Sequence, residues 1–231
     1  MLLFVEHLRK AYASSKREVV VSLSVGAYFG WSGMTAAAQQ IASMRHHPSN
    51  EWVLSDYIEM VGDSVGTIFL LCVAMLIVMR HRRISNYPGM YPKLAAIFGS
   101  FLFPVLMPYV PKQSLSSAMH LLSLSLVLGG GVLAGFVLLY LGRSFSILPE
   151  ARRLVQQGPY RLIRHPLYAA EIVALIGIAM QFAIWPTLLV VMFQLFFLLE
   201  RMRMEEDVLC ATFPSYRSYS GRTARLIPGL W

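Results

Sequence analysis

The sequence predicts an all-α, polytopic helical membrane protein with four spans, a C-terminal helical hairpin and a polar tail. Its 231 residues are 56% hydrophobic and only 14% charged, whereas a soluble domain carries about 25% charged residues. The apolar residues form long blocks rather than an amphipathic rhythm, and the mean hydropathy is +0.56. The net charge of +8 could suggest a nucleic acid partner. Because the charges flank the apolar blocks, we expect no nucleic acid.

Four apolar blocks are read as membrane spans. They run over Val19–Ala42, Tyr57–Met79, Leu94–Val110 and Ala118–Leu141. A signal peptide is the alternative for the first block, although its apolar run is longer than usual for one. Pro104 and Pro108 should kink the third span, where neighbouring helices must satisfy the freed carbonyls. The fourth contains Gly129-Gly130-Gly131 and Gly135, at which another helix can approach closely.

The apolar stretch Leu167–Glu200 is too long for a single span at about 1.5 Å per residue. Because Trp185-Pro186 lies near its middle, we predict two short helices that turn near Ile184–Thr187. A polar tail follows from Arg201 onward. The sequence shows no internal repeat or low-complexity linker, so residues 1–231 are predicted to form a single membrane domain.

The basic residues predict an orientation for these spans. If the N-terminus is cytoplasmic, the cytoplasmic segments hold four, four, five and five Lys or Arg, eighteen of the twenty in the chain. The opposite loops hold only Arg45 and Lys112. This asymmetry follows the positive-inside rule, so we expect the central loop and the tail to share the cytoplasmic face. The bacterial inner membrane and the endoplasmic reticulum both satisfy this arrangement.

The sequence does not indicate a metal site. His46 and His47 are neighbours within the predicted loop Ser43–Asp56, but no matching ligands follow at helical spacing, so an exposed loop is expected. Cys72 and Cys210 offer neither a disulfide framework nor metal-ligand spacing. Both are therefore predicted to be free thiols.

The polar, basic stretch from 154 to 168 lies between apolar segments and carries the candidate chemistry. Gly158-Pro159 marks a turn, and Pro166 suits the first turn of a new helix. A helix N-terminus offers free N–H groups and a partial positive charge. Arg164 and His165 would therefore place cationic donors where a small carboxylate binds. The alternative is a basic cytoplasmic loop that merely opens another membrane helix.

The tail offers a second polar cluster. Arg201 and Glu205 are four residues apart and share a helical face, which is also what a simple ion pair at the end of a span would show. Together with the stretch from 154 to 168, it places one polar cluster at each end of a single apolar hairpin. This combination favours a site over two unrelated loops.

Together these motifs resemble the isoprenylcysteine carboxyl methyltransferase family of integral membrane methyltransferases, which is related to the phospholipid methyltransferases. The resemblance covers roughly residues 140–229. It rests on Gly-Pro-Tyr-Arg-Leu-Ile-Arg-His-Pro-Leu-Tyr at 158–168, on the short hairpin, and on Glu-Glu, six residues, Phe-Pro, one residue, Tyr, two residues and Tyr at 205–219. The ordered set with its spacing is more specific than any single piece.

The resemblance implies S-adenosylmethionine as methyl donor, bound on the cytosolic side by the central loop and the tail, and makes residues 142–231 the methyltransferase core. The cofactor-binding positions that it implies are Leu154, Val155, Tyr160, His165, Pro166, Leu167, Tyr168 and Glu205. Arg201 matches an arginine that the family uses toward the methyl acceptor. That acceptor would be lipophilic and would enter from the bilayer.

The identity of the acceptor stays open at this stage. The family's name-giving substrate is an isoprenylcysteine carboxylate, which is already anionic and needs alignment and loss of water rather than a general base. An amine such as phosphatidylethanolamine would need a base, for which Glu205 and Glu206 are available. A small thiol or an isoprenoid lipid is a third class. The non-enzyme alternative is a structural or transport membrane protein whose basic loops only fix its topology.

Overall fold

A computed structural model describes residues 2–46 and 54–229, and they are mostly helical, as predicted. The helices of this described part are α1 Leu2–His46, α2 Leu54–Met79, α3 Tyr91–Leu106, α4 Ser117–Leu141, α5 Pro166–Ala179, α6 Ile184–Thr212 and α7 Tyr216–Ser220. Two strands of two residues each, β1 Ser85–Asn86 and β2 Glu150–Ala151, pair antiparallel. The all-α fold class is therefore confirmed.

Three segments of the described chain are long and apolar enough to cross a membrane. They are Met60–Met79, Ser117–Ser144 and Ile184–Thr212. The first two correspond to the second and fourth predicted spans. Val19–Ala42 lies inside the longer helix α1, and α3 has 16 residues, which reach about 24 Å at 1.5 Å per residue. The span assignments of Val19–Ala42 and Leu94–Val110 remain predictions.

The predicted hairpin is present, but two of its details were wrong. The chain turns between Ala179 and Ile184, before the predicted position, and Pro186 lies in the first turn of α6. Proline is tolerated there because the first helical N–H groups have no intrahelical partner. The second helix is also not short, since α6 has 29 residues and continues past Glu200 to Thr212. The polar tail residues 201–212 therefore belong to the same rigid helix as the membrane segment.

The connecting segments gather at the two ends of the helix bundle. At one end, the β1–β2 pair joins the segment after α2 to the loop after α4. At the other end, the segment after α3 meets the hairpin turn, where Ala183 N donates to Pro111 O at 2.9 Å. The loop predicted over Ser43–Asp56 is shorter, because α1 reaches His46 and α2 begins at Leu54, and residues 47–53 lie outside the described part.

A glutamine from α6 bridges the backbone of α3 beside Pro104. The side chain of Gln194 accepts a hydrogen bond from Phe103 N at 3.2 Å and donates one to Gly99 O. A regular α-helix would join these two backbone groups directly. The carbonyl that Pro104 frees is that of Ser100, one residue later, so the predicted satisfaction of the freed carbonyls stays a prediction. The insertion fixes α3 against α6.

Helices α4 and α5 approach each other at a glycine, as predicted for this stretch. A Cβ atom on Gly130 would lie 2.6 Å from Ala174 N and 2.8 Å from Ala170 O. A Cβ on Gly131 would lie 2.9 Å from Val65 of α2. At Gly129 and Gly135 a Cβ would meet nothing within 4 Å. Close approach is thus confirmed at two of the four glycines.

Candidate active site

A polar cleft lies at the end of the bundle where the central loop, the start of α5 and the end of α6 meet. Its open volume is about 770 Å³. Eight of the nine residues implied by the resemblance line it: Leu154, Val155, Tyr160, His165, Leu167, Tyr168, Arg201 and Glu205. Pro166, the ninth, is the first residue of α5. The structure therefore brings together two segments that are separated in sequence by the whole hairpin.

The start of α5 faces this cleft without a side-chain cap. Pro166 is the first helical residue, and the side chain of the preceding His165 makes no capping hydrogen bond. The first N–H groups of a helix lack intrahelical partners, so those of Leu167 and Tyr168 are open to an acceptor from outside. This geometry agrees with the expected anion-binding position.

Arg201 is held by three neighbouring elements. Its Nε donates to Glu205 Oε1 at 3.2 Å, its Nη1 to Ser100 Oγ at 2.9 Å, and its Nη2 to Ser146 O at 3.1 Å. The guanidinium also lies over the ring of Tyr168, with its Cζ 5.0 Å from the ring centroid. Arg201 is only 5% exposed. Its charge is therefore fixed in position at the base of the cleft.

Glu205 links Arg201 to the start of α5. Tyr168 donates its hydroxyl hydrogen to Glu205 Oε1 at 2.6 Å, and this is the same oxygen that accepts from Arg201. The second oxygen keeps its capacity to accept hydrogen bonds. Glu205 can therefore bind hydroxyl or amino groups of a ligand while it remains tied to α5 and α6.

Glu206, which the sequence offered only as a base for an amine acceptor, joins the central loop to the tail. Its Oε1 accepts from Arg164 Nε at 2.8 Å and lies 3.0 Å from His165 Nε2. Its Oε2 accepts from Arg225 Nη2 at 2.5 Å. We call these four residues, Arg164, His165, Glu206 and Arg225, the Glu206 cluster. It occupies one ring nitrogen of the histidine that was expected to meet a cofactor carboxylate.

Backbone contacts reinforce the same junction. Arg164 N donates to Ala224 O at 2.8 Å, and its side chain donates to Ser220 O at 2.5 Å and Thr223 O at 2.6 Å. Tyr219 donates its hydroxyl hydrogen to Tyr160 O at 2.6 Å. The chain after α6 is therefore bound tightly to the central loop, and together they form one wall of the cleft.

The tyrosines of this wall are neutral side chains. Burial raises the pKa of the Tyr160 and Tyr216 phenols above the ordinary value, and it raises that of Tyr219 to about 12. They can therefore act as hydrogen-bonding and stacking groups rather than as phenolates. Tyr216 is only 2% exposed and lines the cleft. Among the described residues, none makes a hydrogen bond with its hydroxyl group.

The loop before the cleft is bound to the segment that follows α2. Glu150 accepts from Arg152 Nη2 at 2.6 Å and from Ser146 Oγ at 2.9 Å. Arg152 also donates to His81 O. This assigns a structural role to part of the basic run after α2. It also fixes Ser146, whose carbonyl binds Arg201.

A second cavity extends from the cleft into the bundle. Its open volume is about 1350 Å³, and it meets the cleft at Phe145 and Arg201. Its walls come from α1 to α6 and are mostly apolar. The polar side chains among its lining residues are Ser100, Glu171, Gln194 and Arg201. The sequence left this region undefined, and only the isolated charge of Glu171 in an apolar helix signalled it.

The metal and cysteine predictions can be compared with the described residues only. Within the described ranges no group of three His, Cys, Asp or Glu side chains is arranged to hold a metal ion. His47 lies outside those ranges, and so does the rest of the loop up to residue 53. Cys72 and Cys210 are free thiols, as predicted.

Comparison with known proteins agrees with this geometry. Residues 122–211 match the model of the isoprenylcysteine carboxyl methyltransferase (ICMT) family. The matched segment runs from α4 to the end of α6 and so contains the central loop and most of the cleft. Over this segment the match confirms the resemblance that the sequence motifs indicate, and it supports a membrane methyltransferase.

A curated relative matches part of the chain. The nickel-cobalt-cadmium resistance protein NccN of Alcaligenes xylosoxydans xylosoxydans is 34% identical to this chain over 84 residues. The match covers 35% of this chain and 38% of the length of that relative. The similarity is therefore confined to a part of each protein.

Proposed function

We propose that this chain, whose residues 122–211 match the ICMT family, transfers a methyl group from S-adenosylmethionine to a lipophilic acceptor at the membrane surface. The observation that carries the proposal is the convergence of Leu154–Tyr168 and Arg201–Glu205 on one cleft. An apolar cavity opens from the base of that cleft into the bundle. The two compartments suit a polar donor and a lipid acceptor that meet at their junction.

The residues of the cleft fit the chemical groups of this donor. The uncapped start of α5, together with Arg164 and His165 in the cleft wall, offers hydrogen-bond donors to its carboxylate. Glu205 Oε2 and the Tyr216 hydroxyl offer hydrogen bonds to ribose or adenine, and the aromatic rings offer faces for stacking. When bound, the donor supplies an electrophilic methyl group on a sulfonium. The chain's own task is then to align the acceptor with that methyl group and to exclude water.

The leading acceptor is a carboxylate of the isoprenylcysteine type, as the family resemblance implies. Arg201 lies at the junction of the two cavities, where it can align an anionic oxygen without removing its nucleophilicity. A phospholipid amine is the second candidate, and the observation that favours it is the carboxylate of Glu171 in the membrane cavity. A small thiol or an isoprenoid lipid is the third class of acceptor.

The cleft is proposed to face the cytoplasm, because eighteen of the twenty Lys and Arg residues fall in segments assigned to that side. The protein would then be a multi-pass protein of the bacterial inner membrane or the endoplasmic reticulum. We propose that residues 1–141 and 142–231 form one membrane domain, since the cavity takes its walls from both parts. Membrane lipids and the acceptor are the partners that this arrangement implies.

The proposal is tested by binding of S-adenosylmethionine to purified protein in lipid nanodiscs. We expect Glu205→Ala and His165→Ala to weaken binding at least tenfold, because each removes a polar group from the cleft. Glu200→Ala is the matched control, since Glu200 lies on the same helix, outside the cleft, and contacts Tyr91 and Arg203. Unchanged affinity in both cleft variants would show that the cleft is not the donor site.

Product analysis separates the acceptor classes. Protein in lipid is supplied with methyl-labelled S-adenosylmethionine and with either a farnesylcysteine analogue or phosphatidylethanolamine. Label released by base as methanol from the cysteine product identifies a methyl ester, whereas base-stable label in the lipid identifies N-methylation. If the protein neither binds the donor nor transfers label, the structural or transport alternative takes precedence.

A further inference from the structure

A further open pocket lies beside the polar cleft, at the same end of the bundle, and its charge is entirely positive. Its open volume is about 1530 Å³, and Arg143, Arg153 and Arg161 line it. The described residues of its lining include no Asp or Glu, whereas the polar cleft contains Glu150 and Glu205. We call this pocket the arginine pocket. Because no acid compensates its three cations, it attracts anions.

The guanidinium groups of the arginine pocket keep donors for a ligand. Within the described part of the chain, neither Arg153 nor Arg161 donates a side-chain hydrogen bond or forms an ion pair. Arg143 donates from Nε to Met79 O at 2.6 Å, which leaves its two terminal nitrogens available. A guanidinium group can bind phosphate through two parallel N–H donors. The pocket therefore suits a phosphate group.

The arginines of this pocket are positioned by elements that are far apart in sequence. Arg143 follows α4, and its carbonyl oxygen accepts a hydrogen bond from His81 N at 2.8 Å, which ties it to the segment after α2. Arg161 is the last residue of the 3-10 turn that begins at Gly158. A Cβ atom on Gly158 would overlap the ring of Tyr140, so this turn packs directly on the end of α4. The pocket is thus built by the fold and is more than a run of basic residues.

The arginine pocket opens where a membrane helix ends. The segment Ser117–Ser144 is long and apolar enough to cross a membrane, and its last residues line the pocket. Among them, Leu139 is 79% exposed and Tyr140 is 43% exposed. Tyrosine is enriched where a span meets the membrane surface. An exposed apolar helix face therefore lies next to free guanidinium groups.

We propose that the arginine pocket binds the phosphate head group of an anionic glycerophospholipid, whose acyl chain lies along α4 at Leu139 and Tyr140. Basic pockets at the ends of membrane helices are suited to anionic head groups, because charge and apolar contact act together there. The pocket shares no lining residue with the membrane cavity. The proposal does not depend on the proposed methyl transfer.

The first test measures lipid binding to the full-length protein in a non-ionic detergent by native mass spectrometry. Dioleoyl phosphatidylglycerol and dioleoyl phosphatidylcholine carry the same acyl chains and differ in the net charge of the head group. We expect one molecule of phosphatidylglycerol to bind saturably and at least fivefold more tightly than phosphatidylcholine. Equal affinity for the two lipids would overturn the proposal.

Charge-matched variants separate this pocket from general attraction to a basic protein. The double variant Arg153→Gln/Arg161→Gln should reduce the affinity for phosphatidylglycerol to within twofold of that for phosphatidylcholine. The matched control is Arg203→Gln/Arg217→Gln, which removes the same charge from exposed positions outside the pocket. This control should keep the preference of the wild type. A preference that survives in the first double variant, or that falls equally in both, would also overturn the proposal.

A soluble competitor distinguishes a lipid from a small anion. Glycerol 3-phosphate carries a phosphate group but no acyl chain, so it can use the arginines without the apolar face of α4. We expect it to displace phosphatidylglycerol only at concentrations at least a hundredfold above those of the competing lipid. Displacement at comparable concentrations would mean that the pocket binds small phosphate compounds, and the assignment to a lipid would be wrong.

Discussion

The polar cleft and the membrane cavity meet at Arg201, yet they are built in opposite ways. The cleft is formed by two short segments whose side chains bind one another directly, as in the Glu206 cluster. The cavity takes small and apolar residues from six helices, and a few side chains, such as Gln194 and Glu171, supply its polarity. One compartment is defined by hydrogen bonds, and the other is defined by the space that helix packing leaves.

Because of this difference, we expect the cleft to fix the methyl donor and the cavity to select the methyl acceptor. Changes in the hydrogen-bonded junction should disturb folding and donor binding together, because the same contacts hold the tail onto the central loop. Substitutions in the walls of the cavity should change the spacing of the helices and therefore which acceptor binds. The two kinds of change can therefore be told apart by measuring stability and donor affinity on the same variants.

The largest effect is expected for Glu206→Gln. The substitution removes a carboxylate that binds Arg164, His165 and Arg225 and leaves these three side chains without their shared partner. Breaking a buried pair of this kind costs about 3 kcal/mol or more. We expect a loss of that size in the free energy of unfolding, measured by denaturant titration in mild detergent, together with loss of donor binding.

Glu200→Gln serves as the control for this prediction, since Glu200 pairs with Arg203 at 3.9 Å at an exposed site. Exposed pairs contribute about 0–1 kcal/mol. If Glu206→Gln changed the unfolding free energy by no more than this control, the junction would not depend on the cluster. The proposed difference between a cleft held by hydrogen bonds and a cavity formed by helix packing would then be wrong.

The sequence predicted the cleft well because polar residues are rare in this chain. His165, Arg201 and Glu205 stand out beside long apolar runs, and their order and spacing carry the family resemblance. Glu206 was harder to assign. It lies beside Glu205 on α6, and only the rotation of that helix against α5 determines that Glu205 meets Tyr168 while Glu206 meets His165.

The membrane cavity could not be predicted for a different reason. Its walls are mostly glycine, alanine, phenylalanine and branched aliphatic residues that any packed membrane helix contains, so no spacing distinguishes them. The hairpin shows a related limit. Pro186 was expected to break the helix, but it lies in the first turn of α6, where its missing N–H costs little. A proline that breaks a helix and a proline in the first turn of a helix look alike in the sequence, so the sequence did not distinguish the two.

An intermediate effect is expected at the packed wall, for Gly130→Ala. A Cβ atom would lie 2.6 Å from Ala174 N and 2.8 Å from Ala170 O, which belong to the backbone of α5 and cannot rotate away. Overpacking of this kind costs about 2 kcal/mol. We expect a matching fall in the unfolding free energy.

Gly129→Ala is the control for this substitution, because a Cβ there meets nothing within 4 Å. It should leave stability unchanged or raise it slightly, since alanine favours the helix. Equal effects of the two alanine variants would mean that α4 and α5 are not in close contact at Gly130. The walls of the cavity would then have to be described differently.

The smallest effect is expected for Tyr216→Phe. This variant tests whether a residue of the cleft binds the methyl donor without contributing to the stability of the free protein. Among the described residues, none binds the buried Tyr216 hydroxyl, so its removal should leave the stability of the free protein unchanged or slightly higher. If this hydroxyl binds S-adenosylmethionine, its loss costs about 1 kcal/mol, which is a five- to tenfold weaker affinity. Tyr219→Phe should behave in the opposite way, because it removes a hydrogen bond to Tyr160 O and lowers stability. Equal donor affinity in Tyr216→Phe and the wild type would place the bound donor elsewhere in the cleft.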